Sequence, residues 1–341
     1  MIRFDSDYTE GMHPAILQAL LETNDEQTIG YGEDPHCEHA RQLIRQAVQC
    51  ETADVHFLVG GTQANTTVIA SILKSYQGVL CAGTGHINCH ETGAVEATGH
   101  KVLPLASADG TITAAQVEAY VSAHYADGSH EHIVQPGMVY ISFPTENGTL
   151  YTRTQLMDLH TVCQKRGLPL FVDGARMGYG LAAAGNDISL ADFARFSDVF
   201  YIGGTKVGAL MGEAVVIVNE KLKPDFRYNI KQRGGMLAKG RFLGIQFEQL
   251  FQNDLYQTIS RHAIDLAALL KDALTAKGYT FRYEPQTNQL FVNMPDAKLP
   301  QLQQDFAFSI WGRADDTHTT VRFCTSWATK EDNVKALIAS L

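Results

Sequence analysis

The sequence predicts an α/β fold: a mostly parallel seven-stranded sheet flanked by helices, with a smaller C-terminal α+β domain. Three observations carry that expectation. Between Thr52 and Asn219, short apolar runs alternate with longer amphipathic segments. No run exceeds six residues and most are β-branched or aromatic, as strands buried on both faces should be. From about Gly240 the texture changes to a long helical region followed by short strands.

Taken in order, the segment through about Thr52 is expected to pack against the C-terminal domain or against a partner. The strands are Val55–Val59, Val79–Ala82, Lys101–Leu105, Met138–Phe143, Pro169–Val172, Val199–Ile202 and Ala214–Val218. Between them, Ala64–Lys74 sets Val68, Ile69, Ile72 and Leu73 on one helical face, and Arg153–Arg166 does the same with Leu156, Leu159, Val162 and Cys163. The helical region after Gly240 runs to Lys277, with Gly278 just past its end. Tyr279–Glu284, Gln289–Asn293 and Thr320–Cys324 read as strands, and a final helix begins near Lys330. The division is therefore drawn at 1–239 for the N-terminal segment plus the large α/β domain, and at 240–341 for the small one.

Charge and composition exclude several functions. Across 341 residues, 27 Lys and Arg stand against 37 Asp and Glu, a net of −10, so no basic field is available for nucleic acid or an acidic membrane surface. The start is already polar and no apolar run approaches the roughly 20 residues of a membrane span. The six cysteines are scattered with no C-x-x-C pair, the usage of a reduced, cytoplasmic protein. No metal is expected: His86 and His90 stand four apart and His36, Cys37 and His39 are close, but a zinc site needs three or four convergent ligands.

Ligands of open α/β sheets bind outside the carboxyl ends of the strands, and three such ends here carry unusual residues. After Val55–Val59 comes Gly60-Gly61-Thr62-Gln63-Ala64-Asn65 and a helix, a turn able to cradle an anion, although any strand-to-helix turn also wants glycine. It matches neither nucleotide-binding glycine motif. Leu170-Phe171-Val172 ends in Asp173-Gly174-Ala175-Arg176, where the acid needs a cation or a donor; a helix cap with Arg176 as ion-pair partner would also serve. Val199–Ile202 leads into Gly203-Gly204-Thr205-Lys206, whose lysine is either a surface loop residue or a desolvated amine suited to Schiff-base chemistry. Pyridoxal phosphate asks for all three at once: an amine for its aldehyde, a carboxylate for its pyridine nitrogen and an anion cup for its phosphate.

These residues resemble the low-specificity L-threonine aldolases of the β-eliminating lyase superfamily, which are fold-type I pyridoxal-phosphate enzymes. The resemblance runs over Phe4–Asp7, Tyr31–Pro35, Gly61–Asn65, His86 with Glu91, Asp173–Arg176, Gly204–Lys206, Lys231–Gly235 and Val321–Phe323. It implies pyridoxal 5′-phosphate as a Schiff base on Lys206, Asp173 on the pyridine nitrogen, His86 stacked on the ring, and Gly61 and Thr62 on the phosphate. It implies that Ser6, Arg176 and Arg322 grip the substrate carboxylate. It also implies a homodimer or homotetramer with shared active sites, in which Tyr31 and a basic residue of Lys231–Arg233, either Lys231 or Arg233, reach across from the partner chain.

The activity so implied is retro-aldol cleavage of a β-hydroxy-α-amino acid, L-threonine or L-allo-threonine, to glycine and an aldehyde. Glu146 follows the strand Met138–Phe143 where some family members carry histidine, so either Glu146 through a water or His86 directly is the candidate base for the β-hydroxyl; alternatively Glu146 holds a loop. β-Elimination or transamination on the same fold is the nearest alternative, and a non-catalytic binding protein that keeps only the scaffold is a third.

Overall fold

The computed structural model describes residues 1–341. Its main sheet contains β1 (Asp54–Leu58), β2 (Gln77–Ala82), β3 (Lys101–Leu105), β4 (Gln135–Ser142), β5 (Leu170–Asp173), β6 (Val199–Gly203) and β7 (Glu213–Ile217). Their spatial order is β1-β7-β6-β5-β4-β2-β3. Six strands share one direction, as expected, and β7 runs against both of its neighbours, β1 and β6. The reason is chain length: residues 204–212 are too few for the dozen or so that a parallel crossover requires.

Strand alternation sends side chains to two cores. Val215 and Ile217 of β7 join Leu58, Phe171 and Tyr201 on the face covered by the helix Gly61–Ile72, through Ala64, Val68 and Ile69. Ala214 and Val216 face the other way, into a larger core with Val172, Phe200 and the helix Arg153–Arg166. That helix starts where expected. The one after β1 starts at Gly61, three residues before the expected Ala64, because extended Gly60 serves as its N-cap; Gly61 and Thr62 are therefore first-turn residues.

The C-terminal sheet is antiparallel, with β8 (Thr280–Phe281), β9 (Gln289–Pro295), β10 (Ser309–Arg313) and β11 (His318–Cys324) in the order β10-β11-β9-β8. The expected strand Tyr279–Glu284 shrinks to the two residues of β8, and β10 is an additional strand. The long helical region divides into Arg241–Phe251 and Leu255–Ala276, broken by left-handed Asn253 and Asp254. Ile259, Ala263 and Ile264 of the second helix lie in the larger core, whereas Leu266, Leu270 and Leu274 lie in a third core with Leu290, Val292 and Phe323. The N-terminal residues reach this third core too. Ile2–Arg3 pairs in parallel with Phe306–Ala307, Phe4 is fully buried, and Cys324 N donates to Phe4 O at 2.7 Å.

Candidate active site

A cavity of about 230 Å³ opens at the carboxyl edge of the sheet, beside the ends of β1, β5 and β6. Asp173, the last residue of β5, is 3 % exposed and lies on its wall. Its Oδ2 accepts from Tyr140 OH at 2.6 Å and Asn65 Nδ2 at 3.0 Å, and its Oδ1 from Tyr201 OH and Ala175 N. Four donors aimed at one group make it an acceptor on both oxygens, the role of a carboxylate. Arg176 is not its partner. That guanidinium forks instead onto Asp7, with Nε on Oδ2 at 2.6 Å and Nη2 on Oδ1 at 3.0 Å.

Asp7 is fully buried and Asn288 Nδ2 also donates to it, at 2.9 Å. Burial alone would raise its pKa, but the charges of Arg176 and Lys206 and these hydrogen bonds bring it below the ordinary value. A depressed folded pKa stabilises the fold above the unfolded value of about 3.9 and loses that contribution as the pH falls through the folded one. Asp7→Asn should cost about 3–5 kcal/mol at pH 7, because it leaves a buried arginine unpaired. The difference from wild type should shrink below about pH 4; urea unfolding at the two pH values checks this, and a difference independent of pH would sink it.

Lys206 follows β6 and lines the same cavity. Tyr179 OH donates to its carbonyl, while its Nζ makes no hydrogen bond and no ion pair. Burial, reinforced by the Arg176 charge, lowers its pKa, which favours the nucleophilic free amine. The loop can run this close to β5 only because position 203 is glycine: a Cβ there would lie 2.4 Å from Ala175 O.

At the other side of the cavity the helix Gly61–Ile72 presents its first turn. Ala64 N is the first to bond back, to Gly60 O, so the N–H groups of Gly61, Thr62 and Gln63 are free for an anion. Gln63 braces this turn, accepting from Val59 N and donating to Arg233 O at 3.1 Å. Arg233 is thereby held beside the turn through its backbone, with its buried Nε unpartnered.

His86 opens the short helix His86–Cys89 and also faces the cavity. Its Nδ1 meets Glu91 Oε1 at 2.7 Å, and Asn65 bridges Glu91 (2.7 Å) to Asp173. Burial disfavours the charged ring, yet the Glu91 hydrogen bond and the Asp173 charge raise the pKa of His86. Glu146 Oε1 accepts from His86 N at 2.9 Å and Ser142 Oγ at 2.6 Å, and burial raises its pKa. Glu146 thus both lines the cavity and holds the backbone of His86.

Five expected residues do not line this cavity: Ser6, Arg322, Tyr31, Lys231 and Arg233. Arg322, on β11, is anchored by Gln289 Oε1 at 3.1 Å and Asp5 O at 2.9 Å, with the Trp311 ring 5.5 Å from its Cζ. Its Nε and Ser6 Oγ are buried without partners. Tyr31 is half-exposed with φ of 62°, and Lys231 Nζ lies 5.0 Å over its ring. The structure adds residues to which sequence reasoning gave no role: Tyr140, Tyr201, Asn65, Asp7 and Glu213, of which only Asn65 and Asp7 sit in the motifs singled out.

The beta-eliminating lyase family model matches residues 3–297. The chain belongs to the beta-eliminating lyase family. This lyase superimposes on a threonine aldolase structure from Leishmania major with a TM-score of 0.96 and 42% identity, over 99% of this chain and 98% of that one. It is 30% identical to a low specificity L-threonine aldolase of Pseudomonas sp. (strain NCIMB 10558), over 99% of its own length and 96% of the relative. An aspartate aminotransferase from Thermus thermophilus shares the fold at a TM-score of 0.73 and 13% identity. Family membership implies pyridoxal 5′-phosphate, and the lyase has residues that fit it: an unpaired, partly buried amine, an acceptor carboxylate, free N–H groups at a helix start, and a cavity of about 230 Å³ between them.

Proposed function

We propose that the enzyme cleaves the Cα–Cβ bond of a β-hydroxy-α-amino acid, L-threonine or L-allo-threonine, releasing glycine and an aldehyde. The observation that carries this reading is the meeting of Lys206, Asp173 and the Gly61–Thr62 turn around one cavity, in a chain whose relatives bear the name threonine aldolase. Lys206 is the amine that would hold pyridoxal 5′-phosphate as a Schiff base, Asp173 would face its pyridine nitrogen, and Gly61 and Thr62 its phosphate. When bound, the cofactor supplies an electron sink for the charge left at Cα.

The chain's own residues do the rest. Arg322, already anchored by Gln289 and Asp5, offers a planar fork of donors and would bind the substrate carboxylate with Ser6. Arg176, oriented by Asp7, would assist from the cavity wall. Held by its carboxylate, the substrate would have a fixed orientation at Cα, which would decide the bond presented for cleavage. His86, with Nδ1 on Glu91, has Nε2 left for the ring face and the β-hydroxyl proton. Glu146 positions His86 and lies in the cavity, able to pass that proton on through a water.

The assembly we propose is a homodimer or homotetramer with shared sites. Its support is the pair Tyr31 and Lys231, held on the surface outside the chain's own cavity with Tyr31 in a strained left-handed conformation, near Ile29 and Tyr228, both exposed. No helix is long and apolar enough to cross a membrane, and the six unpaired cysteines support a reducing, cytoplasmic setting.

The test is a panel of threonine, allo-threonine, phenylserine and serine in both enantiomers, with product identification. Glycine plus an aldehyde from the L-β-hydroxy substrates is the expected result. Ammonia with a keto acid would replace this reading by β-elimination, and amino-group exchange with a keto acid by transamination.

A further inference from the structure

Glu213, the first residue of β7, has no part in the chemistry described so far, yet it lines the cavity and is 3 % exposed. Strand alternation puts it on the same face as Val215 and Ile217, the face packed under the helix Gly61–Ile72. It pairs across the sheet with Leu58 at the end of β1 and Gly203 at the end of β6. Glu213 therefore sits between the Gly61–Thr62 turn and the Lys206 loop.

An acid in the lining of an anion cup is a contradiction unless it is neutral. The hydrogen bonds say where its proton would be. Gly212 N donates to Thr205 Oγ1 at 3.0 Å, which directs the Thr205 hydroxyl proton onto Glu213 Oε1 at 2.8 Å. Oε1 is thus an acceptor, and Oε2 is buried with no partner at all. We propose that Glu213 is held as a carboxylic acid whose Oε2–H donates to a phosphate oxygen of the cofactor, forming the floor of the phosphate site. This rests on the cofactor reading above. The terminal carboxyl torsion is soft, and rotation about it is the movement that would present the hydroxyl.

Burial pushes the Glu213 carboxyl up to about 8, against the opposing pull of the Thr205 hydrogen bond and the Lys206 charge. The other titratable groups facing it are Asp173 on β5, Tyr201 on β6 and Tyr256 on the long helix, and none of these supplies a cation. A phosphate monoester, with a second pKa of about 6, is already a dianion at that pH. The sign follows: the donor is present below about 8 and becomes a repelling carboxylate as the pH rises through it.

The experiment compares dissociation constants of pyridoxal 5′-phosphate and pyridoxal for the cofactor-free enzyme between pH 7 and about 9.5. Titration of the Lys206 amine affects both ligands and cancels in their ratio. In wild type the advantage of the phosphate compound should fall about tenfold for each pH unit above about 8. Glu213→Gln keeps a donor and cannot ionise, so its ratio should stay flat and within about threefold of the wild-type value at pH 7. Glu213→Ala should lose at least about tenfold of the advantage at pH 7; if it fails to fold, the Gln variant decides alone. A wild-type ratio independent of pH overturns the proposal, as does a Gln variant that prefers the phosphate compound tenfold more than wild type at pH 7. Borohydride labelling keeps the two readings apart. Wild type that takes no label at Lys206 refutes the cofactor site itself, whereas a labelled enzyme with a flat ratio refutes only the role of Glu213.

Discussion

Lys206→Ala should abolish turnover, by a factor on the order of 10⁴ or more, while the fold stays as stable as before. The two halves of that expectation have one cause. The Lys206 amine makes no hydrogen bond or ion pair, and burial with the Arg176 charge outweighs the attraction of Asp7, Asp173 and Glu213, so on balance its charge does not stabilise the folded state. Removing it relieves an unfavourable burial rather than breaking a contact, and the melting temperature should hold or rise. Borohydride treatment of the cofactor-loaded wild type should label the peptide containing Lys206, and the Ala variant should take no label. A label on a different lysine would sink the assignment, whatever the activity of the variant.

Asp173 behaves in the opposite way, because it is the hub of a satisfied network. Asp173→Ala strands the Tyr140 and Tyr201 hydroxyls in the core, each losing its acceptor at about 1–3 kcal/mol, and leaves the Asn65 amide with only Glu91 to donate to. A total loss of about 3–5 kcal/mol follows, with relaxation absorbing part of the sum. Asp173→Asn separates structure from chemistry. Its amide oxygen still accepts from one tyrosine, so about 1–2 kcal/mol is lost. The carboxyl group proposed to face the pyridine nitrogen is replaced by an amide, however, and kcat should fall on the order of 10²–10³-fold with KM little changed. Thermal unfolding and steady-state kinetics on the two variants check both parts; near-normal kcat in Asp173→Asn would remove Asp173 from the cofactor.

The parts of this site that could be read in the sequence are those at strand ends. Asp173 and Lys206 stand out there because a charge after a buried apolar run demands a reason. Tyr140 and Tyr201 did not stand out, since an aromatic in mid-strand reads as core, and its hydroxyl acquires meaning only when the register of β4, β5 and β6 aligns both rings with Asp173. Glu213 is hidden for a similar reason: the apolar run begins at Ala214, and only the sheet register makes the acid before it the first residue of β7. The direction of β7 was within reach, because residues 204–212 cannot span a parallel return. The ion pair of Arg176 was not, since Asp7 lies 169 residues away and only the tertiary fold brings it near.

Residues 2–8 have a consequence for how the molecule is made. Ile2–Arg3 needs Phe306–Ala307 as its neighbour, Phe4 O waits for Cys324 N, Asp5 O for Arg322, and Tyr8 completes the cavity wall. Residues 2–8 therefore find their places only after residues 306–324, some 300 positions further along the chain, have been made. Whatever the large sheet has achieved by then, the pocket stays open on one side until that late, single closing stitch.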